Sequence, residues 1–142
     1  MKRVLTIALI LLLAALAAAV AKTDKKNVSV HQTAYGKFIQ VGSTYYSSGI
    51  AARMPDGSVP PGMAAQTRVT LEKFQKAYAE LGLKMSDVVK VNVYITDEKL
   101  KPEMDAEYQK VFSGENAPCR TAVTVASLDP GRVVEMDMIA IK

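Results

Sequence analysis

Two segments of this 142-residue chain alternate apolar and polar side chains, and that pattern constrains the fold more than any other feature. Val88 to Ile95 puts Val89, Val91, Val93 and Ile95 on one face. Val133 to Ile141 puts Val134, Met136, Met138 and Ala140 on one face and Glu135 and Asp137 on the other. A period of two is that of a strand, and strands with one apolar face must have that face covered. Two stretches of helical period can cover it: Val69, Leu71, Phe74, Tyr78 and Leu81, stopped by Gly82, and Met104, Tyr108, Val111 and Phe112 behind Asp97. Upstream, Val28 to Gln32, Lys37 to Val41 and Thr44 to Ile50 read as strands, with turns at Tyr35-Gly36 and Gly42-Ser43. Arg120 to Ala126 and Val133 to Ile141 flank Ser127 to Arg132, a turn that predicts a closing hairpin. The order β-β-β-α-β-α-β-β predicts an α+β domain with both helices on one side of a mixed sheet.

The N-terminus has a different organisation. Lys2-Arg3, an apolar run from Val4 to Val20 and the charged Lys22 to Lys26 follow the order of a secretory signal, with Ala19-Val20-Ala21 as a small-residue cleavage site. Residues 1–21 are therefore expected to be a signal peptide and residues 22–142 the exported domain, periplasmic or secreted. Removing the leader takes two of the 18 basic residues and none of the 14 acidic ones. The remainder carries about +2, too little for a dedicated nucleic-acid binder. Cys119 is the only cysteine, so no internal disulfide can form, and its position beside Arg120 leaves two readings: a favoured thiolate or a small buried filler. With one histidine, His31, read as a strand residue, and no Cys/His cluster, no metal site is expected. Glycine-rich phosphate loops and nucleophile elbows are absent.

Two charged side chains stand where a strand would place a ligand. Arg120 shares a face with Ala122, Thr124 and Ala126, so a planar fork of donors borders a small-residue surface suited to a carboxylate; a salt bridge is the alternative. Glu135 lies within a strand otherwise built for a core, either on a solvated face or as a positioned acid/base. A simple hairpin register sets Glu135 opposite Thr124, about four residues or roughly 13 Å along the strand from Arg120. Either a ligand spans the two or a site is shared between subunits.

The spacing of Tyr35, Ser48-Gly49, the Pro-Asp-Gly loop at Pro55, Ala64-Ala65-Gln66-Thr67, Gly82-Leu83, Asp87-Val88-Val89-Lys90, Tyr108, Ala117-Pro118-Cys119-Arg120 and Glu135 resembles that of the RidA/YjgF family across nearly the whole of residues 22–142. The resemblance implies a chorismate-mutase-like α+β fold, a homotrimer with ligand sites between subunits, and hydrolysis of 2-imino acids and enamines to 2-oxo acids and ammonia without metal or organic cofactor. It implies that Arg120 clamps the substrate carboxylate, Glu135 activates water, Ser48 and Gly49 line the pocket and Tyr35 closes over it. Asp105 joins the substrate-binding positions, where the family often has asparagine, and Thr33-Ala34 stand where it usually has Gly-Pro. The alternatives on the same fold are a non-catalytic carboxylate binder, which needs Arg120 alone, and an interaction trimer using exposed Met54, Met63 and Met85.

Overall fold

The structure, a computed structural model, describes residues 27–142. The expected signal peptide lies outside them. Strands β1 (Val28–Gln32), β2 (Lys37–Val41), β3 (Thr44–Ser47) and β4 (Ile50–Ala51) lead into helix α1 (Met63–Glu80). Strand β5 (Val88–Ile95), helix α2 (Lys101–Gln109), β6 (Cys119–Thr124) and β7 (Val134–Ile141) complete the domain. One mixed sheet runs β1-β2-β3-β7-β5-β6, with β4 also paired to β7.

The expected hairpin between the last two strands does not form. β7 lies between β3 and β5, and β6 pairs with the far side of β5 in parallel, Arg120 opposite Val91. Burial explains the choice. Val134, Met136, Met138 and Ala140 are wholly enclosed, which a central strand achieves and a strand beside the edge would not. The β5-α2-β6 segment is a crossover, and crossovers join parallel neighbours. β5 also departs from simple alternation: its register with β7 shifts between Val88 and Lys90, so Val88 is buried and Val89 is exposed.

Both helices cover one face. α1 contributes Met63, Leu71, Phe74 and Tyr78 and α2 contributes Met104 and Tyr108, over Val91, Val93, Ile95 and the inward residues of β7. Each large apolar side chain enclosed in this way stabilises the fold by about 1.5–3 kcal/mol. Of the methionines expected at the surface, Met54 is exposed, Met63 is fully buried and Met85 packs partly against the core. α1 ends as expected at Gly82, whose φ of 68° lets its N–H reach Ala79 O (3.1 Å) and Leu83 N–H reach Tyr78 O (2.8 Å).

Gln66, buried on α1, ties that helix to two loops. Its amide nitrogen donates to Pro60 O and Gly131 O, both at 2.9 Å, and its oxygen accepts from Val133 N at 2.9 Å. The β1–β2 turn is built on buried Thr33, whose hydroxyl accepts from Tyr35 N and Gly36 N (both 3.1 Å) and donates to Gly36 O (2.9 Å). That threonine orders the loop in the place of Gly-Pro.

Candidate functional site

Glu135 is held where β3 gives way to β4. Tyr46 pairs with Ile139 and Ile50 with Met136, so four steps on one side span three on β7, and the extra residue makes a bulge at Ser48-Gly49. The continuous strand expected from Thr44 to Ile50 is broken there. Met138 N, at the break, donates instead to Ser47 Oγ (2.8 Å), while Ser48 N donates to Lys37 O (2.8 Å) and Ser48 Oγ accepts from Lys37 N (3.2 Å). Gly49 leaves the space that the Glu135 carboxylate occupies: a Cβ on it would overlap that carboxylate and displace it.

The two carboxylates on this face of β7 differ. Asp137 accepts from Tyr94 Oη (2.8 Å) and Asn92 Nδ2 (2.9 Å). The Tyr94 phenol is held above its ordinary pKa first by that bond, then by burial and the charges of Asp137 and Glu135. Glu135 is half-buried and has no hydrogen bond or ion pair among the described residues. It is the carboxylate free to accept from water or a ligand.

Arg120 is engaged within its own chain. Its Nη1 donates to Asp105 Oδ1 (2.6 Å), its guanidinium carbon lies 4.6 Å from the centre of the Tyr108 ring, and Asp105 Oδ2 accepts from Lys101 Nζ (2.8 Å). Partial burial raises the Asp105 pKa, but hydrogen bonds and charge from Lys101 and Arg120 outweigh it and hold the group below its ordinary value. Burial pushes the Tyr108 phenol up to about 12, against the lowering effect of Arg120. Nε and Nη2 of Arg120 remain for a ligand. Cys119, next to it, is exposed rather than a buried filler.

The family model for endoribonuclease L-PSP matches residues 26–142. The chain belongs to the RidA/YjgF family. It is 32% identical over 111 residues to 2-iminobutanoate/2-iminopropanoate deaminase of Escherichia coli K12, covering 76% of this chain and 87% of that protein. It is 34% identical over 110 residues to a RutC family protein of Pyrococcus abyssi, covering 76% and 86%. Among solved structures it is similar to RidA from an Antarctic Psychrobacter, at a TM-score of 0.70 and 30% identity over 82% of this chain and 94% of that one.

In this RidA/YjgF chain Arg120 and Glu135 do not share a site within one protomer. Arg120 is registered with Val91, which is buried under the helices, whereas Glu135 is registered with Tyr94 on the opposite, uncovered face. The register also separates them by β5, two strand spacings across and three residues along, roughly 14 Å between Cα atoms. The structure gathers Ser48, Gly49 and Glu135 at one place and Asp105 with Arg120 at another. Tyr35 joins neither cluster. Its neighbour Gly36 abuts Ser48 Oγ, but Tyr35 itself lines a cavity beneath α1. Sequence reasoning missed Asn92, Tyr94 and Lys101; only Lys101, four residues before Asp105 on a helix, carried a readable signal.

Proposed function

We propose that this protein hydrolyses 2-imino acids and their enamine tautomers to 2-oxo acids and ammonia, in a cleft between copies of the chain where Arg120 of one meets Ser48, Gly49 and Glu135 of the next. The observation that carries the reading is the unpartnered Glu135 carboxylate seated against Gly49. A relative 32% identical is named 2-iminobutanoate/2-iminopropanoate deaminase, which supports the same chemistry here. Arg120 and Glu135 standing on opposite faces of one sheet supports a site completed by a second copy. The uncovered sheet face supports it further: Val30, Val41, Tyr46, Val123 and Ile141 are all more than 40% exposed on it, a patch suited to burial in a homotrimer.

In this reading the free donors of Arg120 bind the substrate carboxylate and set the C=N carbon beside Glu135. Glu135 accepts one proton as water adds to that carbon, returns it to nitrogen to make the leaving ammonia, and takes the proton of the carbinolamine hydroxyl as the C–N bond breaks and the carbonyl forms. The products are a 2-oxo acid and ammonia. An iminium carbon is already electrophilic, so orientation, water delivery and proton shuttling by one carboxylate suffice, and no cofactor is needed. The substrate-binding role of Asp105 is to fix the guanidinium. Export directed by residues 1–21 would bring the protein to imines formed by amino-acid oxidation outside the cytoplasm.

The test is ammonia release from imines generated in situ by an amino-acid oxidase. We expect acceleration by the wild-type protein and none by Glu135→Ala; equal rates from the two would remove Glu135 from the mechanism.

A further inference from the structure

The cavity beside Tyr35 has a chemistry of its own. It encloses about 420 Å³, within the range of small-ligand pockets, and lies between α1, the β1–β2 turn and the loop after β4. Arg53, Lys73 and Lys76 line it together with Tyr35, Met54 and Val69. None of the three cations is within ion-pair distance of a carboxylate among the described residues. Glu72 is in the wall and leaves the set net positive. Lys73 is anchored, its Nζ donating to Ala51 O at 3.1 Å. Burial first, then the nearby positive charges of Arg132 and Arg53, press its pKa below the ordinary value. Arg53 uses only Nε, toward Gly57 O at 3.3 Å, so both terminal nitrogens of its fork are free. Three cations against one carboxylate, beside an apolar wall, match an anion that carries an apolar body.

We infer that this cavity is a second ligand site, separate from the Arg120 and Glu135 residues, and that it takes a small organic anion whose carboxylate or phosphate head lies between Arg53 and Lys73 and whose apolar body rests on Tyr35, Met54 and Val69. A planar fork and a point charge approaching from different elements grip either head group. Of the residues that the family resemblance implies for the substrate pocket, only Tyr35 lines the cavity; Ser48, Gly49, Asp105, Arg120 and Glu135 do not, so occupancy here does not require Arg120 or Glu135.

Isothermal titration calorimetry of the purified protein with phenyl phosphate, benzoate and inorganic phosphate tests the site. At least one aromatic anion should bind about tenfold or more tightly than inorganic phosphate, since only it covers the apolar wall. Its identity reports the head group: phenyl phosphate over benzoate assigns phosphate, and the reverse assigns carboxylate. In Arg120→Met protein, where no carboxylate probe is held at the Arg120 site, Arg53→Met and Lys73→Met should each weaken binding about tenfold and Glu72→Gln should strengthen it severalfold. Because Lys73→Met also breaks the bond to Ala51, Arg53→Met, an exposed position, carries the test alone if that variant unfolds. Binding that survives Arg53→Met, binding lost in Arg120→Met, inorganic phosphate binding as well as the aromatic anions, or no heat with any probe would overturn the inference.

Discussion

The two clusters around Arg120 and Glu135 are opposites in how they are held. Arg120 is braced within its own chain by a carboxylate and an aromatic ring, with Nε and Nη2 left over, while Glu135, seated against Gly49, has no hydrogen-bond or ion-pair partner among the described residues. A side chain that must take up a proton profits from a free lone pair, whereas one that must bind a carboxylate in a fixed pose profits from being immobilised beforehand. Under the proposed deaminase reading the contrast gives chemistry to Glu135 and orientation to Arg120, and substitutions should separate the two.

The largest effect is expected at Glu135. Glu135→Gln keeps the shape and removes the base, so kcat should fall by about 10²–10⁴ with KM little changed. Gly49→Ala should do comparable damage without touching a charged group, because the new methyl displaces the carboxylate. Steady-state kinetics of both variants would break the comparison if KM rather than kcat carried the loss. The next effect is a recovery: Arg120→Ala and Glu135→Ala subunits, unfolded and refolded together and assayed at substrate well below the wild-type KM, where both parents are slow, should regain roughly one quarter of wild-type activity, since one in four sites of a mixed ring pairs an intact arginine with an intact glutamate. A mixture as inactive as its parents would overturn the site shared between copies. Arg120→Ala alone should raise KM about tenfold to a hundredfold with a smaller change in kcat, as expected for the loss of a charged hydrogen-bonded clamp.

The sheet and its helices were legible because their signal is periodic and local: Val91, Val93 and Ile95 on β5, the whole inward stripe of β7, and the Gly82 stop. What failed was what depends on neighbours in space. Residues 127–132 have the composition of a hairpin turn, yet nothing in them says that β5 will lie between the strands they join. The Ser48-Gly49 bulge is hidden inside a run of β-formers, and the shift that turns Val88 inward and Val89 outward breaks an alternation that looked regular. Glu135 stood out because a carboxylate on a core strand is unusual, but Asp137 stood out equally, and only Tyr94 and Asn92 distinguish a committed carboxylate from a free one. The cationic cavity draws its charges from separate segments, so the sequence holds no contiguous trace of it.

The smallest effect sharpens the comparison most. Asp105 holds Arg120 but also places a negative charge beside the donors that should meet an anionic substrate. Asp105→Asn keeps a hydrogen-bonding side chain and removes the charge, so KM should fall roughly two- to fivefold, the scale of a partly exposed ion pair. Stability should move the other way, and its pH dependence follows from the lowered Asp105 pKa. The folded protein binds fewer protons here than the unfolded chain, so the contribution is fully present above the ordinary value of 3.8 and is lost as pH falls through the lower folded value. Melting temperatures of wild type and Asp105→Asn should therefore differ near neutral pH and converge below that window. Convergence with an unchanged KM would make Asp105 a brace for α2 and β6 only. Convergence with a lowered KM means that the chain accepts weaker substrate binding in return for an arginine already in place.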